Sequence, residues 1–186
     1  MTDLMHRTPP TVRDTAATAL VLGLASAAWA GWGLAQPPDG WSLPLIVGSM
    51  LGVLVAAVAG IRTWTYRAGA SAMHDPAGRR RYVRIVGVEV GLIVLGVLVL
   101  EFAGRSDYLA PWTLFVVGAH LLPLGGLFRV AGLRIAGVLL ALVAVAAGLS
   151  GMLGGPAPSA VSGAGGALVM IVAGAVELGR SWTIAA

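Results

Sequence analysis

Three acids and a histidine stand well inside the apolar stretches of this 186-residue chain or near their ends: Glu89, Glu101, His120 and Glu177. An ionisable group inside a membrane-spanning segment is costly, and is a functional candidate for that reason. Glu101 falls at the outer end of its stretch. Glu177 falls at the inner end of another, just before Arg180. Both read as interfacial groups, and Glu177 and Arg180 can pair along one helix face.

Glu89 and His120 lie deeper. At a helical rise of about 1.5 Å per residue, Glu89 is roughly 10 Å inward of Tyr82, and His120 is roughly 12 Å inward of Phe128. Their two stretches run antiparallel around a turn near residue 105, so residue numbers at one depth sum to about 210, as those of Glu89 and His120 do. A carboxylate and an imidazole at one depth can share a proton and lower each other's cost of burial. In the functional reading the pair relays protons or cations. In the structural reading it fixes helix register, with His120 bonded to Glu89 or to a neighbouring carbonyl.

Pro123 belongs with them, in the stretch GAHLLPLGG (118–126). Proline has no N–H and clashes with the carbonyl four residues back, here that of Ala119. With Gly125 and Gly126 following, a break in the helix facing the bundle interior is expected. The chemistry of other site types has no support: there is no HExxH, no metal-spaced cluster, no Walker loop and no cysteine. His6 and His74 fall in exposed flanks. No catalytic motif, cofactor or metal is expected.

The elements that must hold these residues follow from composition and length. Apolar residues make up 58% of the chain and charged residues 11%, against roughly 45–50% and 25% in soluble proteins. A bilayer core of ~30 Å needs an apolar helix of about 20 residues. Six stretches qualify, at 14–35, 43–62, 82–101, 108–128, 134–153 and 159–178. The expected fold is all-α, a single transmembrane domain over residues 1–186 built as a bundle of six helices.

All twelve basic residues are arginine, as codon usage in a GC-rich genome would produce. Only Arg105 falls outside if the N-terminus is cytoplasmic. Arg7, Arg13, Arg62, Arg67, Arg79, Arg80, Arg81, Arg84, Arg129, Arg134 and Arg180 then lie inside. That asymmetry is the positive-inside pattern, and it puts both termini in the cytoplasm. It also removes the nucleic-acid reading of the net charge of +4. Trp29, Trp32, Trp41 and Trp112 fall toward outer ends, and Trp64 and Trp182 at inner ends, as interfacial indoles do. A second reading takes Arg7, Arg13 and SAAWA (26–30) as a cleaved signal segment, leaving five spans.

Asp75 and Pro76 suit an N-cap and a first helical position, so the third helix should begin before the membrane. Arg79, Arg80, Arg81 and Arg84 would then face anionic lipid headgroups, or serve as a plain topology anchor. The stretch 154–166 is rich in Gly, Pro and Ser and reads as an outer loop, with Ser159 a candidate cap. RTWT (62–65) and RSWT (180–183) hint at a two-span repeat. Gly48 with Gly52, and Gly87 with Gly91, have the spacing that lets helices approach closely, within the bundle or at a dimer face.

Residues 118–129, GAHLLPLGGLFR, resemble a motif of small bacterial multi-pass membrane proteins, roughly Gly-x-His-Phe-x-Pro-Leu-Ala-x-Leu-Phe. Gly118, His120, Pro123, Leu124, Leu127 and Phe128 match, while Leu121 and Gly125 depart. The resemblance implies a multi-pass topology and a family without assigned activity. Two functions stand open. One is a small transporter or channel using the Glu89–His120 pair, which needs a water-filled cavity reaching it. The other is a structural or accessory protein that binds a lipid or membrane-protein partner, or a second copy of itself.

Overall fold

A computed structural model describes residues 11–69 and 71–185, the side chain of residue 72 excepted. Arg7, His6 and the rest of the polar start lie outside the described residues. Six helices follow in order: α1 (Val12–Gly33), α2 (Ser42–Thr65), α3 (Pro76–Phe102), α4 (Leu109–Leu127), α5 (Ala131–Met152) and α6 (Pro158–Ala185). Each is long and apolar enough to cross a membrane. No strand occurs among the described residues.

The helices alternate in direction, as contacts at the two ends show. At one end Arg62, late in α2, meets Ser181, late in α6. There too Tyr82, early in α3, meets Phe128 just after α4. At the other end, Gly33 of α1 meets Gly163 of α6. The first of these ends holds every described arginine but Arg105, and is called the basic end below.

Local chemistry sets the helix limits. The Thr11 hydroxyl accepts from the Asp14 N–H at 3.1 Å and caps α1. The Asp75 carboxylate accepts from the N–H groups of Ala77 and Gly78, with Pro76 in the first turn of α3. Gly104 and Gly154 take positive φ after α3 and α5, where a left-handed residue closes a helix C-terminus. After α4 that place falls to Arg129, at φ 59°.

Two expectations fail here. α4 runs unbroken through Pro123. A membrane helix tolerates proline where neighbouring groups and local adjustment compensate for the lost bond. The Gly-rich stretch after residue 157 is not loop but the start of α6, with Pro158 rather than Ser159 opening it. Glycine disfavours helix in isolation. Here Gly163 and Gly166 let α6 pass against Gly33 and Trp29 of α1, and that packing overrides propensity.

Close backbone approach organises the bundle. A Cβ on Gly23 would stand 2.7 Å from the Ala56 nitrogen and the Gly52 oxygen, so α1 and α2 touch backbone to backbone. The same arrangement recurs between α4 and α5, where a Cβ on Gly118 would stand 2.7 Å from the Gly137 oxygen and 2.9 Å from the Ala141 nitrogen. α6 packs along α1 and also touches α2, α4 and α5. α3 stands apart and packs chiefly on α4, with Gly96 its one buried residue. Of the glycines spaced by four, Gly52 is packed against α1, while Gly48, Gly87 and Gly91 face open space.

Two outcomes follow. In this cysteine-free chain, single cysteines at Ala77 and Ala157 should react with impermeant maleimide from opposite sides of the membrane; reaction from the same side contradicts the six-helix path. Gly23→Ala and Gly118→Ala should each lower stability by about 1–3 kcal/mol through overpacking, whereas Gly48→Ala should change it little. Equal losses in all three, read by thermal unfolding in detergent, would show that the close approaches do not organise the bundle.

Candidate functional site

Glu89 and His120 meet. The His120 Nδ1 lies 3.0 Å from the Glu89 Oε1, with the two side chains 15% and 14% exposed. Each is placed by helix period: Glu89 sits on the α3 face that carries Ile85 and Leu92, and His120 on the α4 face that carries Val116 and Pro123. The distance is that of a hydrogen bond, but the angle is not, and Nδ1 has no other partner. The contact is therefore a close polar pair that a small rotation of the imidazole would align, since the terminal torsion of histidine is broad.

The pair does not face the bundle interior, as expected for GAHLLPLGG. It lines a cleft of about 310 Å³ between α3 and α4, a size at the lower end of ligand pockets. The remaining walls are apolar apart from Arg84, which sits one and a half helical turns nearer the basic end. Val88 is 63% exposed, and Ala119 and Pro123 are also exposed, so the cleft opens sideways where acyl chains would lie. Pro123 thus contributes a wall, and by its chemistry leaves the Ala119 carbonyl without its usual donor. Arg79, Arg80 and Arg81 are exposed on the first turns of α3, beside the cleft mouth that Arg84 lines.

A second polar centre lies at the basic end. Glu177 is 1% exposed there, covered by neighbouring helices. It pairs with Arg180 at 3.0 Å as spacing suggested, but its carboxylate lies over Gly132 of α5, where any Cβ would strike it. Close by in α6, Ser181 accepts from the Arg62 Nε at 2.7 Å, and its carbonyl accepts from the Arg62 Nη2 at 2.5 Å. The Arg62 guanidinium lies 3.7 Å from the Trp182 ring centroid and 5.2 Å from that of Tyr66. RTWT and RSWT thus meet in space, whatever their ancestry. The signal that could have found this was the recurrence of Arg and Trp at the ends of two spans, combined with a glycine opposite Glu177.

The connection into α3 is also tied down. The Ser71 hydroxyl donates to the Asp14 carboxylate at 2.6 Å, and the Arg13 Nη1 donates to the His74 Nε2 at 2.7 Å. Both bonds fix the start of α3 to the start of α1.

Six spanning-length apolar helices and a lateral cleft with a polar pair define the class, a polytopic membrane protein. No protein-family model, curated protein or solved structure matches the chain.

Arg62→Met should cost about 1.5–3 kcal/mol, the range for hydrogen bonds made by a charged group. Arg80→Met, on an exposed turn, should stay within about 0.5 kcal/mol of the parent. If thermal unfolding finds the two alike, Arg62 is not a structural tie.

Proposed function

We propose that this protein is an accessory protein of the bacterial inner membrane that holds one anionic phospholipid of the cytoplasmic leaflet in the cleft between α3 and α4. The cleft carries this reading: apolar walls, a lateral opening, a cation at one end and a paired acid and base part-way along. Arg84 suits the phosphate, and the other exposed arginines of α3 attract anionic headgroups to the same side. Glu89 lies roughly 7 Å deeper by helical rise, where a phospholipid turns from phosphate to glycerol esters. There the imidazole can donate to an ester carbonyl and the carboxylate can accept from a hydroxyl. Because the two groups offset each other, the lipid meets dipoles rather than an isolated charge. A cytoplasmic N-terminus follows from the arginine asymmetry, and the bacterial membrane from the likeness of residues 118–129 to a bacterial motif.

A second reading keeps the pair as a proton relay. It is favoured by the incompletely buried Glu89 and His120 and by the absence of an aligned bond at Nδ1, which leave room for a proton to arrive.

Native mass spectrometry of the full chain released from mixed micelles decides between them. Phosphatidylglycerol should remain bound to the parent chain, and Ala119→Phe, which fills the cleft, should lower that retention at least about tenfold with the fold intact. Unchanged retention overturns the lipid reading. A pH-driven ion flux in vesicles that Glu89→Gln removes would support the relay instead.

A further inference from the structure

A second cleft, about 460 Å³, opens at the other end of the bundle between α3, α4 and α5. Leu100, Phe115, Val145 and Met152 give it apolar walls, and Arg105 and Tyr108 line its rim. It opens on the same face of α4 as the first cleft. Residues 108, 112 and 115 line one, and 119 and 123 the other, a single stripe at three- and four-residue spacing. Trp112 divides them. Its indole packs over Gly96, and its Nε1 donates to the Leu92 carbonyl at 3.0 Å. Leu92 lines the first cleft, and Trp112 the second. An acyl chain in one is thereby kept out of the other.

The charge at the two rims differs in kind. The first has Arg84 beside Arg80 and Arg81, with no acid among them. The second has Arg105, its guanidinium 5.9 Å from the Tyr108 ring centroid, in the connection between Glu101, exposed at the end of α3, and Asp107, exposed in the short helix before α4. One cation with two carboxylates close to it in sequence gives this connection a net negative charge, which disfavours a purely anionic headgroup. It complements a phosphate that carries its own ammonium.

We infer that the second cleft is a site for a zwitterionic phospholipid of the opposite leaflet, with the phosphate on Arg105 and the amine toward Glu101 and Asp107. The site is independent of the lipid assigned to the first cleft and reads a different headgroup.

The test uses phosphatidylethanolamine and phosphatidylglycerol with brominated acyl chains, whose bromines quench a nearby indole. The Trp112 signal of the full chain in micelles is taken as the difference from Trp112→Phe. Brominated phosphatidylethanolamine should quench Trp112 at a concentration at least about threefold lower than phosphatidylglycerol, the scale of two exposed charge contacts. Arg105→Gln should weaken both lipids. Glu101→Gln with Asp107→Asn should abolish the preference, and Arg84→Gln, at the rim of the first cleft only, should leave it unchanged, which separates this site from the first. Where Trp112→Phe does not fold, counting retained lipids by native mass spectrometry on parent and Arg105→Gln chains gives the same comparison. Equal quenching by both lipids, or none of it sensitive to Arg105→Gln, would mean general annular lipid contact and overturn the assignment.

Discussion

A helix gains little by lying against another helix in lipid, because acyl chains are as apolar as leucine. Whatever holds α3 to the rest of this protein must therefore be polar contact or close backbone approach. α3 has little of the second: Gly96 under the Trp112 indole is its one buried residue. Its position depends on a short series of polar contacts. The Glu89–His120 pair lies at its middle, the Trp112 N–H on the Leu92 carbonyl further along, and the Asp14–Ser71 and Arg13–His74 bonds at its entry. The Glu–His pair differs from the others in kind. Neither partner can be left alone at that depth without a large cost, so the contact is enforced from both sides.

The other five helices meet the same constraint by the opposite means. Gly23 on Gly52, Gly118 on Gly137 and Gly163 on Gly33 bring backbones together, which replaces lipid contacts with denser protein contacts. At the basic end, Arg62 and Glu177 knit α2, α5 and α6. The result is a tight five-helix body carrying one loosely applied helix. The two clefts lie along the seam between that helix and α4. Loose packing at one seam leaves these two clefts in a protein that is otherwise closely packed.

Span number and the pairing of Glu89 with His120 were legible because both follow from one-dimensional quantities, apolar length and depth. The direction in which the pair faces was not. Depth says how far a residue lies along a helix and nothing about its azimuth, so an interior site and a lateral cleft look alike in sequence. Glu177 illustrates the same limit at a helix end. Counting along the apolar run gives its position near a helix end, and nothing in that count says that α5 covers it, with Gly132 against its carboxylate. Pro123 misleads for a different reason. Its effect on a helix depends on the groups around it, and α4 continues through it.

If Glu89 and His120 hold α3 to the bundle as a mutual pair, a double-mutant cycle will show it, with Glu89→Gln, His120→Asn and the combination compared by thermal unfolding in one detergent. Each single change should cost about 1–3 kcal/mol, as when a largely buried polar group loses its partner. The double change should cost clearly less than the two added together, because a Gln and an Asn at the same positions can still bond. Losses that simply add would mean that the two residues act independently, and that α3 is held by something else.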